Sequence, residues 1–448
     1  MFPNFFNKFN KQDTVKKKIL SNVFWAMLGK VINMLGNLFV GILVARYLGP
    51  EQYGLMNYVI SYVTIFTVIS TFGLTNIEVR ELSRTPEKRD VLMGTCFSIR
   101  LFFASVGYLL VVVSLFLYKS DFFTSVMILV YSLSLFSGCF EVIRNYFTSI
   151  VKNEYVVKSE ISRTVIGAFV KVVLLWYKAP LEYFICATLF DTFLVASGYC
   201  ISYSTVVDKI KKWSFDRNLV PFLIKQSFPL VLSGAAVIIY QRIDQVMLGN
   251  MLDKESVGYF ATASKFLDLV LFLPVVITQT VTPILVKTYN SGNKILYDTR
   301  CIQFLSIVIW VSILLSLIVS FSSYWLILLS FGKEYVAAVP VLQILSFKTI
   351  GMAISSAGGQ LIIIENKQKW AVFKNILGCL TCIILNSLVI PKYGVVGSAY
   401  VTIVTILVAS MVGSLFIPPY WDILKKEVYS VLFGFRYLPL VLKFFERK

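Results

Sequence analysis

Eleven charged side chains stand inside long apolar stretches of this 448-residue chain, and any chemistry would begin with them. Seven are cations, Lys30, Arg100, Arg144, Lys171, Arg242, Lys265 and Lys348; four are acids, Glu141, Asp191, Asp244 and Asp268. A charge near a bilayer centre costs from about 3 to over 10 kcal/mol, so such residues face a bundle interior or a wet cavity. Their types suit binding rather than bond-making. The chain contains no His, which removes the commonest general base and a common metal ligand. The three-cation surplus suits an anion such as a phosphate or diphosphate; a cavity for cationic compounds leans acidic. Lys30, Arg144, Arg242, Lys265 and Lys348 are therefore the candidate substrate contacts. Arg100 and Lys171 read as snorkelling from span ends. Glu141, Asp191, Asp244 and Asp268 either bind a coupling Na+ or H+ or neutralise nearby cations. No resident cofactor or metal is expected.

Spacing groups these residues on faces. Asn22, Lys30, Asn33 and Asn37 share one sector of a first helix, because steps of three, four and seven return to the same side. Ser134, Ser137, Glu141, Arg144, Asn145 and Thr148 form a second stripe. Gln241, Asp244 and Gln245 cluster, with Arg242 pointing elsewhere. Lys265 and Asp268, three apart, are spaced to pair.

The elements that must position them are transmembrane helices. Hydrophobic residues make up 57% of the chain and charged ones 15%, where a soluble domain is about a quarter charged; mean hydropathy is +0.76. Twelve apolar runs are predicted, at 19–47, 54–74, 94–117, 123–147, 163–178, 182–203, 228–250, 257–286, 301–322, 337–363, 371–390 and 395–417. Each is long enough to cross as a helix, which closes its own backbone hydrogen bonds. The stretch around Phe321–Gly332 is apolar but broken and reads as partly re-entrant.

Of the 42 Lys and Arg residues, 29 fall in the two tails and every second gap, against six in the intervening gaps. That bias puts both termini in the cytoplasm. It also accounts for the net charge of +18 without nucleic acid, as attraction to anionic lipids does. The expected organisation is a basic tail (1–18), a six-helix lobe (19–203), a cytoplasmic linker (204–227) carrying the hinge, a second six-helix lobe (228–417) and an interfacial tail (418–448). The basic start runs directly into an uncleaved first helix. Seven Cys, all in or beside spans, make no disulfide framework; the C-x-x-C of Cys379 and Cys382 reads as packing.

A repeat supports two lobes. Leu48-Gly49 closes the first span and Leu248-Gly249 the seventh; Glu51 and Gly54 are echoed by Glu255 and Gly258. Six spans per half is even, so the halves enter from the same side and are related by an axis along the membrane normal, with a central cavity between lobes.

Four stretches carry a family resemblance. They are Ala45-Arg46-Tyr47-Leu48-Gly49-Pro50-Glu51-Gln52-Tyr53-Gly54; Asp244-Gln245-Val246-Met247-Leu248-Gly249 with Val257-Gly258-Tyr259-Phe260; Phe331-Gly332-Lys333-Glu334-Tyr335 with Ala338, Pro340 and Leu342; and Pro391-Lys392-Tyr393-Gly394-Val395-Val396-Gly397-Ser398-Ala399. In these the chain resembles the polysaccharide transporter (O-antigen or capsule repeat-unit flippase) branch of the multidrug/oligosaccharidyl-lipid/polysaccharide exporter superfamily. The resemblance implies an all-α polytopic protein of the bacterial inner membrane, with about 12 transmembrane helices in two pseudo-symmetric six-helix lobes around a cationic cavity. It implies alternating-access transfer of undecaprenyl-diphosphate-linked oligosaccharide to the outer leaflet for O-antigen, lipopolysaccharide, capsule or exopolysaccharide assembly. Implied partners are that lipid-linked oligosaccharide, membrane lipids, and a polysaccharide polymerase and chain-length regulator. The family has no strict site motif, so the site residues rest on the charges alone. A peptidoglycan-precursor flippase and a cation-coupled multidrug exporter are the alternatives within the fold. The short outer gaps and missing His speak against an enzyme.

Overall fold

A computed structural model describes residues 3–117 and 121–437, with side chains from Trp25 and from 27 onward; Asn22, Lys119 and the tail beyond 437 lie outside the described side chains. Among the described residues every regular element is helical. Helix α1 (Pro3–Thr71) carries the first two spans, divided at Gly49, whose φ of 73° is open to glycine. Then come α2 (Thr75–Arg84), α3 (Arg89–Leu117), α4 (Phe122–Ser132), α5 (Ser134–Ser137), α6 (Glu141–Ser149), α7 (Asn153–Trp176) and α8 (Leu181–Val206). After the linker follow α9 (Leu219–Met251), α10 (Lys254–Asn290), α11 (Lys294–Ser330), α12 (Val339–Leu345), α13 (Lys348–Ile364), α14 (Ala371–Leu407), α15 (Gly413–Leu415) and α16 (Trp421–Phe433). Side chains that accept the first free backbone N–H start three of them: Asp121 for α4, Asp253 for α10 and Asn293 for α11.

Eight segments are long and apolar enough to cross a membrane. Two of these hold two spans each, split at Gly49 and at Gly394 (φ 58°) inside α14. The pair α12–α13, bent by 41°, adds a further span. Helix α7 is not among these, because Lys158, Glu160, Arg163 and Lys171 interrupt its apolar run; it lies where the sequence places the fifth span. The break expected near Phe321–Gly332 is elsewhere. α11 runs unbroken to Ser330, and the bend falls at Ser346 and Phe347 instead. Apolarity alone does not distinguish a helix end from a bend.

Contacts divide the chain into two compact units. The first holds residues up to Tyr47 together with Tyr62–Gly234. Its core is Leu82, Met93, Ile99, Val142, Phe147 and Tyr203. The second holds Leu48–Ser61 together with Ala235 onward. Leu285, Cys301, Phe304, Leu305, Ala357 and Leu361 form one of its cores; Tyr240, Cys382, Ile406 and Ala409 form another.

The linker is fastened to the first unit rather than free. The Ser214 N–H donates to the Asp90 carbonyl (3.2 Å) and the Asp216 N–H to Thr95 Oγ1 (3.0 Å). Arg89 pairs with Asp208 at 3.6 Å. The Lys212 ammonium, donating to Asp208, holds that carboxylate below its usual range. A hinge within residues 207–216 would have to break these contacts. The unit boundary instead falls after Gly234, inside α9.

The tail helix α16 packs on protein. Ile423 and Tyr420 enter the core formed by α10, α11 and α13; Trp310 Nε1 donates to the Ser430 carbonyl (3.1 Å), and Lys426 pairs with Asp298 (2.7 Å). Its other face exposes Trp421, Leu432 and Phe433, as an interfacial helix would. Deleting residues from Trp421 onward is therefore expected to leave the earlier spans inserted but to lower the thermal transition of the purified protein. Each buried apolar side chain lost removes about 1.5–3 kcal/mol. An unchanged melting curve for the truncated chain would show that α16 is dispensable packing.

Candidate functional site

The first unit neutralises its charges in pairs. Arg100, doubted in the sequence as a snorkelling residue, is fully buried and donates through Nε and Nη2 to the Glu78 carboxylate at 2.7 and 3.0 Å. Its Nη1 reaches Glu141 at 3.4 Å, and Asn145 also donates to Glu78. Lys171, likewise doubted, pairs with Asp191. Glu141 and Asp191 thus sit against cations. The sequence reading missed both Glu78, which it left in a loop, and Glu160. Glu160 accepts from Asn33 (3.3 Å) and Tyr199 (3.1 Å), with Arg144 Nε at 3.7 Å. Arg163 and Thr164 in turn donate to Asn33 Oδ1. A signal existed for both acids: each stands at helical spacing from buried apolar neighbours, Leu74 and Leu82 for Glu78, Val156 and Val157 for Glu160. These two acids also shrink the cation surplus counted from the spans alone.

The second unit holds the more unusual arrangement. Asp244, on α9, is 1% exposed. Its Oδ1 accepts from Asn386 Nδ2 at 2.6 Å and from the Cys382 thiol at 3.2 Å, and its Oδ2 from Thr402 Oγ1 at 2.9 Å. The three donors come from the two arms of α14, on either side of Gly394. Cys382 therefore does more than pack, and Cys379, beside it, is free and buried. Asn386 Oδ1, on the amide that donates to this carboxylate, and Ser398 Oγ, one turn before Thr402 on α14, are buried without a hydrogen-bond partner. Unpartnered buried acceptors beside a carboxylate are costly unless a cation or proton joins them. No cluster of three or more His, Cys, Asp or Glu exists among the described residues. One carboxylate with neutral oxygens fits a hard monovalent ion or a proton better than a divalent transition metal.

Lys348 opens α13, directly after the bend of the broken span. Asp268 and Arg242 are exposed, Lys265 is half-buried, and Lys265 makes no ion pair with Asp268. Of the seven span cations, Arg100, Arg144 and Lys171 form ion pairs; Lys30, Arg242, Lys265 and Lys348 form none among the described residues.

Residues 19–289 match the family model described as polysaccharide biosynthesis protein, and residues 229–388 match the MatE model. The capsular polysaccharide biosynthesis protein CapF of Staphylococcus aureus is 29% identical over 235 residues, 51% of this chain and 57% of that protein. The chain thus spans little more than half the length of this curated relative. Among solved structures, an inward-facing multidrug resistance MATE family transporter of the MOP superfamily is similar with a TM-score of 0.67 and 13% identity, over 90% of this chain and 96% of that one. The lipid II flippase MurJ, in an inward closed conformation, is similar with a TM-score of 0.66 and 18% identity, over 93% and 92%. At such identities the likeness is one of fold: an all-helical architecture of many membrane-length helices.

Proposed function

The chain belongs to the polysaccharide biosynthesis protein family, and on that premise we propose that it is a flippase for lipid-linked oligosaccharide. It would carry undecaprenyl-diphosphate-linked repeat units from the cytoplasmic to the outer leaflet of a bacterial inner membrane, by alternating access, with both termini in the cytoplasm. The observation that carries this reading is the set of span cations that form no ion pair among the described residues. Lys30, Arg242, Lys265 and Lys348 are free to meet a diphosphate, whereas Arg100 and Lys171 are already neutralised. Arg144, half-exposed beside Glu160, retains reach for an anion. The capsular relative supports an oligosaccharide cargo; O-antigen and exopolysaccharide units have the same headgroup chemistry. A polymerase and a chain-length regulator would act on the delivered product. The Asp244 pocket would bind the coupling ion, Na+ or H+. Asp244, Asn386, Ser398 and Thr402 would hold it, and Glu141 and Asp191 serve as counter-charges.

The test is transport in proteoliposomes, read as arrival of oligosaccharide at the lectin-accessible leaflet. Each of Lys30→Ala, Arg144→Ala, Arg242→Ala, Lys265→Ala and Lys348→Ala removes a contact worth about 1.5–3 kcal/mol when charge-assisted. Transport is expected to fall on the order of tenfold or more, at unchanged membrane level, for those that meet the diphosphate. Full transport by all five variants would end the diphosphate reading. Transfer of a cationic drug, or of peptidoglycan precursor in preference to oligosaccharide, would favour the alternatives.

A further inference from the structure

Helix α16 buries an acid in its docking face. Ile423, Leu424, Glu427 and Ser430 are spaced by steps of three and four, which return to one side of a helix. All four are buried, Glu427 with 4% exposure. Its carboxyl lies on Gly358 of α13: a Cβ there would run into Oε1 and stand 3.2 Å from Cδ. Gly358 thus leaves the seat that the carboxyl fills. The neighbouring Lys426 makes two ion pairs, with Asp298 (2.7 Å) and Asp422 (2.8 Å), whereas Glu427 makes none and accepts no hydrogen bond among the described residues. A buried carboxylate with neither is costly, and the neutral acid is far less so.

No surrounding group supplies a counter-charge in contact. Lys374, in the first turn of α14 and 7% exposed, donates to the Ser410 carbonyl (3.3 Å) and stands 5.5 Å from the Tyr420 ring centre. Both contacts favour its ammonium form. It attracts the Glu427 carboxyl without reaching ion-pair distance, and burial outweighs that attraction, holding the carboxyl above the usual carboxylate range. From α11, Asp298, Tyr297 and Cys301 surround Lys426 instead. Glu365, past the end of α13, pairs with Lys367; α15 carries no titratable side chain; and Arg436, after α16, lies over Phe433 and Phe435. Asp422 sits below its usual range beside Lys426, and burial pushes the Tyr420 phenol up to about 12. That leaves Glu427 as the acid of this interface placed to take up and give off a proton near neutrality.

We propose that Glu427 is a proton-operated catch that fastens the tail helix α16 to α13: the neutral acid seats on Gly358, and the carboxylate leaves it. Because α13 is the second arm of the bent span, the catch governs how firmly that arm is held from the tail side. The seated acid keeps its proton to higher pH than a solvated one, so α16 is held most firmly in acid. As pH rises, the ratio of released to seated helix grows by about tenfold per pH unit, until the seated carboxyl itself ionises. The device is independent of what the chain transports and of the Asp244 pocket.

Trp310 supplies the reporter. Its Nε1 donates to the Ser430 carbonyl (3.1 Å), and its ring meets Phe435 edge-on at 5.9 Å. The full chain, labelled with fluorotryptophan and held in nanodiscs, is followed by fluorine NMR from about pH 5 to about pH 9, the range over which a raised carboxyl titrates. Trp310→Phe assigns the resonance, and a chain ended before Trp421 marks its undocked position. The wild-type resonance is expected at the docked position in acid and to move toward the undocked one as pH rises. Glu427→Gln, neutral at every pH, should stay docked throughout. Gly358→Ala, which expels the carboxyl from its seat, should lie toward the undocked position at every pH. A wild-type resonance that stays in place over this range, or one that moves equally in Glu427→Gln, overturns the catch. So does a Gly358→Ala chain that keeps the wild-type response.

Discussion

Replacing Glu78 with alanine is expected to destabilise the amino-terminal unit by about 3–5 kcal/mol, the cost of stranding a buried charge. The carboxylate of Glu78 and the guanidinium of Arg100 are both fully inaccessible, and their contact is bidentate. Asn145 and Thr75 complete the shell through Glu78 and Arg100 respectively. Removing the acid leaves Arg100 with Glu141 at 3.4 Å, an acid whose side chain is 38% exposed. That partner is too hydrated to replace the first. Glu78→Ala should therefore lose most folded protein on detergent extraction, and Glu78→Gln should be intermediate, keeping the shape without the charge. The double variant Glu78→Met/Arg100→Met removes both charges and should regain much of the loss. Thermal unfolding of the extracted proteins reads the series. A single variant as stable as the wild type would mean that the guanidinium finds water, and that the pair is not the keystone of α2, α3 and α6.

Adding one methyl group at Gly54 or Gly258 should produce the second large effect. These glycines are repeat-equivalent in the sequence, and in the second unit they face each other. A Cβ on Gly54 would run into the Lys254 carbonyl and come within 2.8 Å of the Gly258 nitrogen. A Cβ on Gly258 would run into the Pro50 carbonyl. Both obstacles are backbone and cannot rotate away, so overpacking should cost about 1–3 kcal/mol or more. Helix propensity alone would favour alanine by about 1 kcal/mol. Gly359, in α13, is the control, since nothing lies within 4 Å of its added Cβ. Gly54→Ala and Gly258→Ala should lower the thermal transition, and Gly359→Ala should hold or raise it. Equal behaviour of all three would remove the close approach as a structural determinant. The same corner is held by Tyr58 donating to Asn250 (2.6 Å) and Ser61 donating to Gln245 (2.6 Å). This explains why Leu48–Ser61 groups with the second unit and not with its sequence neighbours.

Much of the fold was legible from one dimension. Apolar run length is a local property, and it alone determined that the chain is all-helical and membrane-spanning. The glycines that divide α1 and α14 were visible too, Gly49 as a repeat motif and Gly394 beside Pro391. The repeat itself was readable because equivalent corners need the same small residues. Asp244 stood out as a charge inside an apolar run, which is enough to mark a residue as interior without saying what it meets.

Partners were not legible, because they are distant in the chain. Arg100 meets Glu78 and Glu141, 22 and 41 residues away; Asp244 meets Asn386 and Thr402, 142 and 158 away. Hydropathy counts assigned Glu78 and Glu160 to loops, since short polar stretches look alike whether they enter water or fold against a bundle. Only the packing of α2 and α7 put these two acids beside cations, and only the fold of α14 about Gly394 brought Asn386 and Thr402 to Asp244. The sequence by itself determined which residues must avoid lipid, because that cost is paid residue by residue. Which of them neutralise one another and which stay available to a ligand was decided by tertiary structure alone, since compensation of a buried charge depends on distance in space and not along the chain.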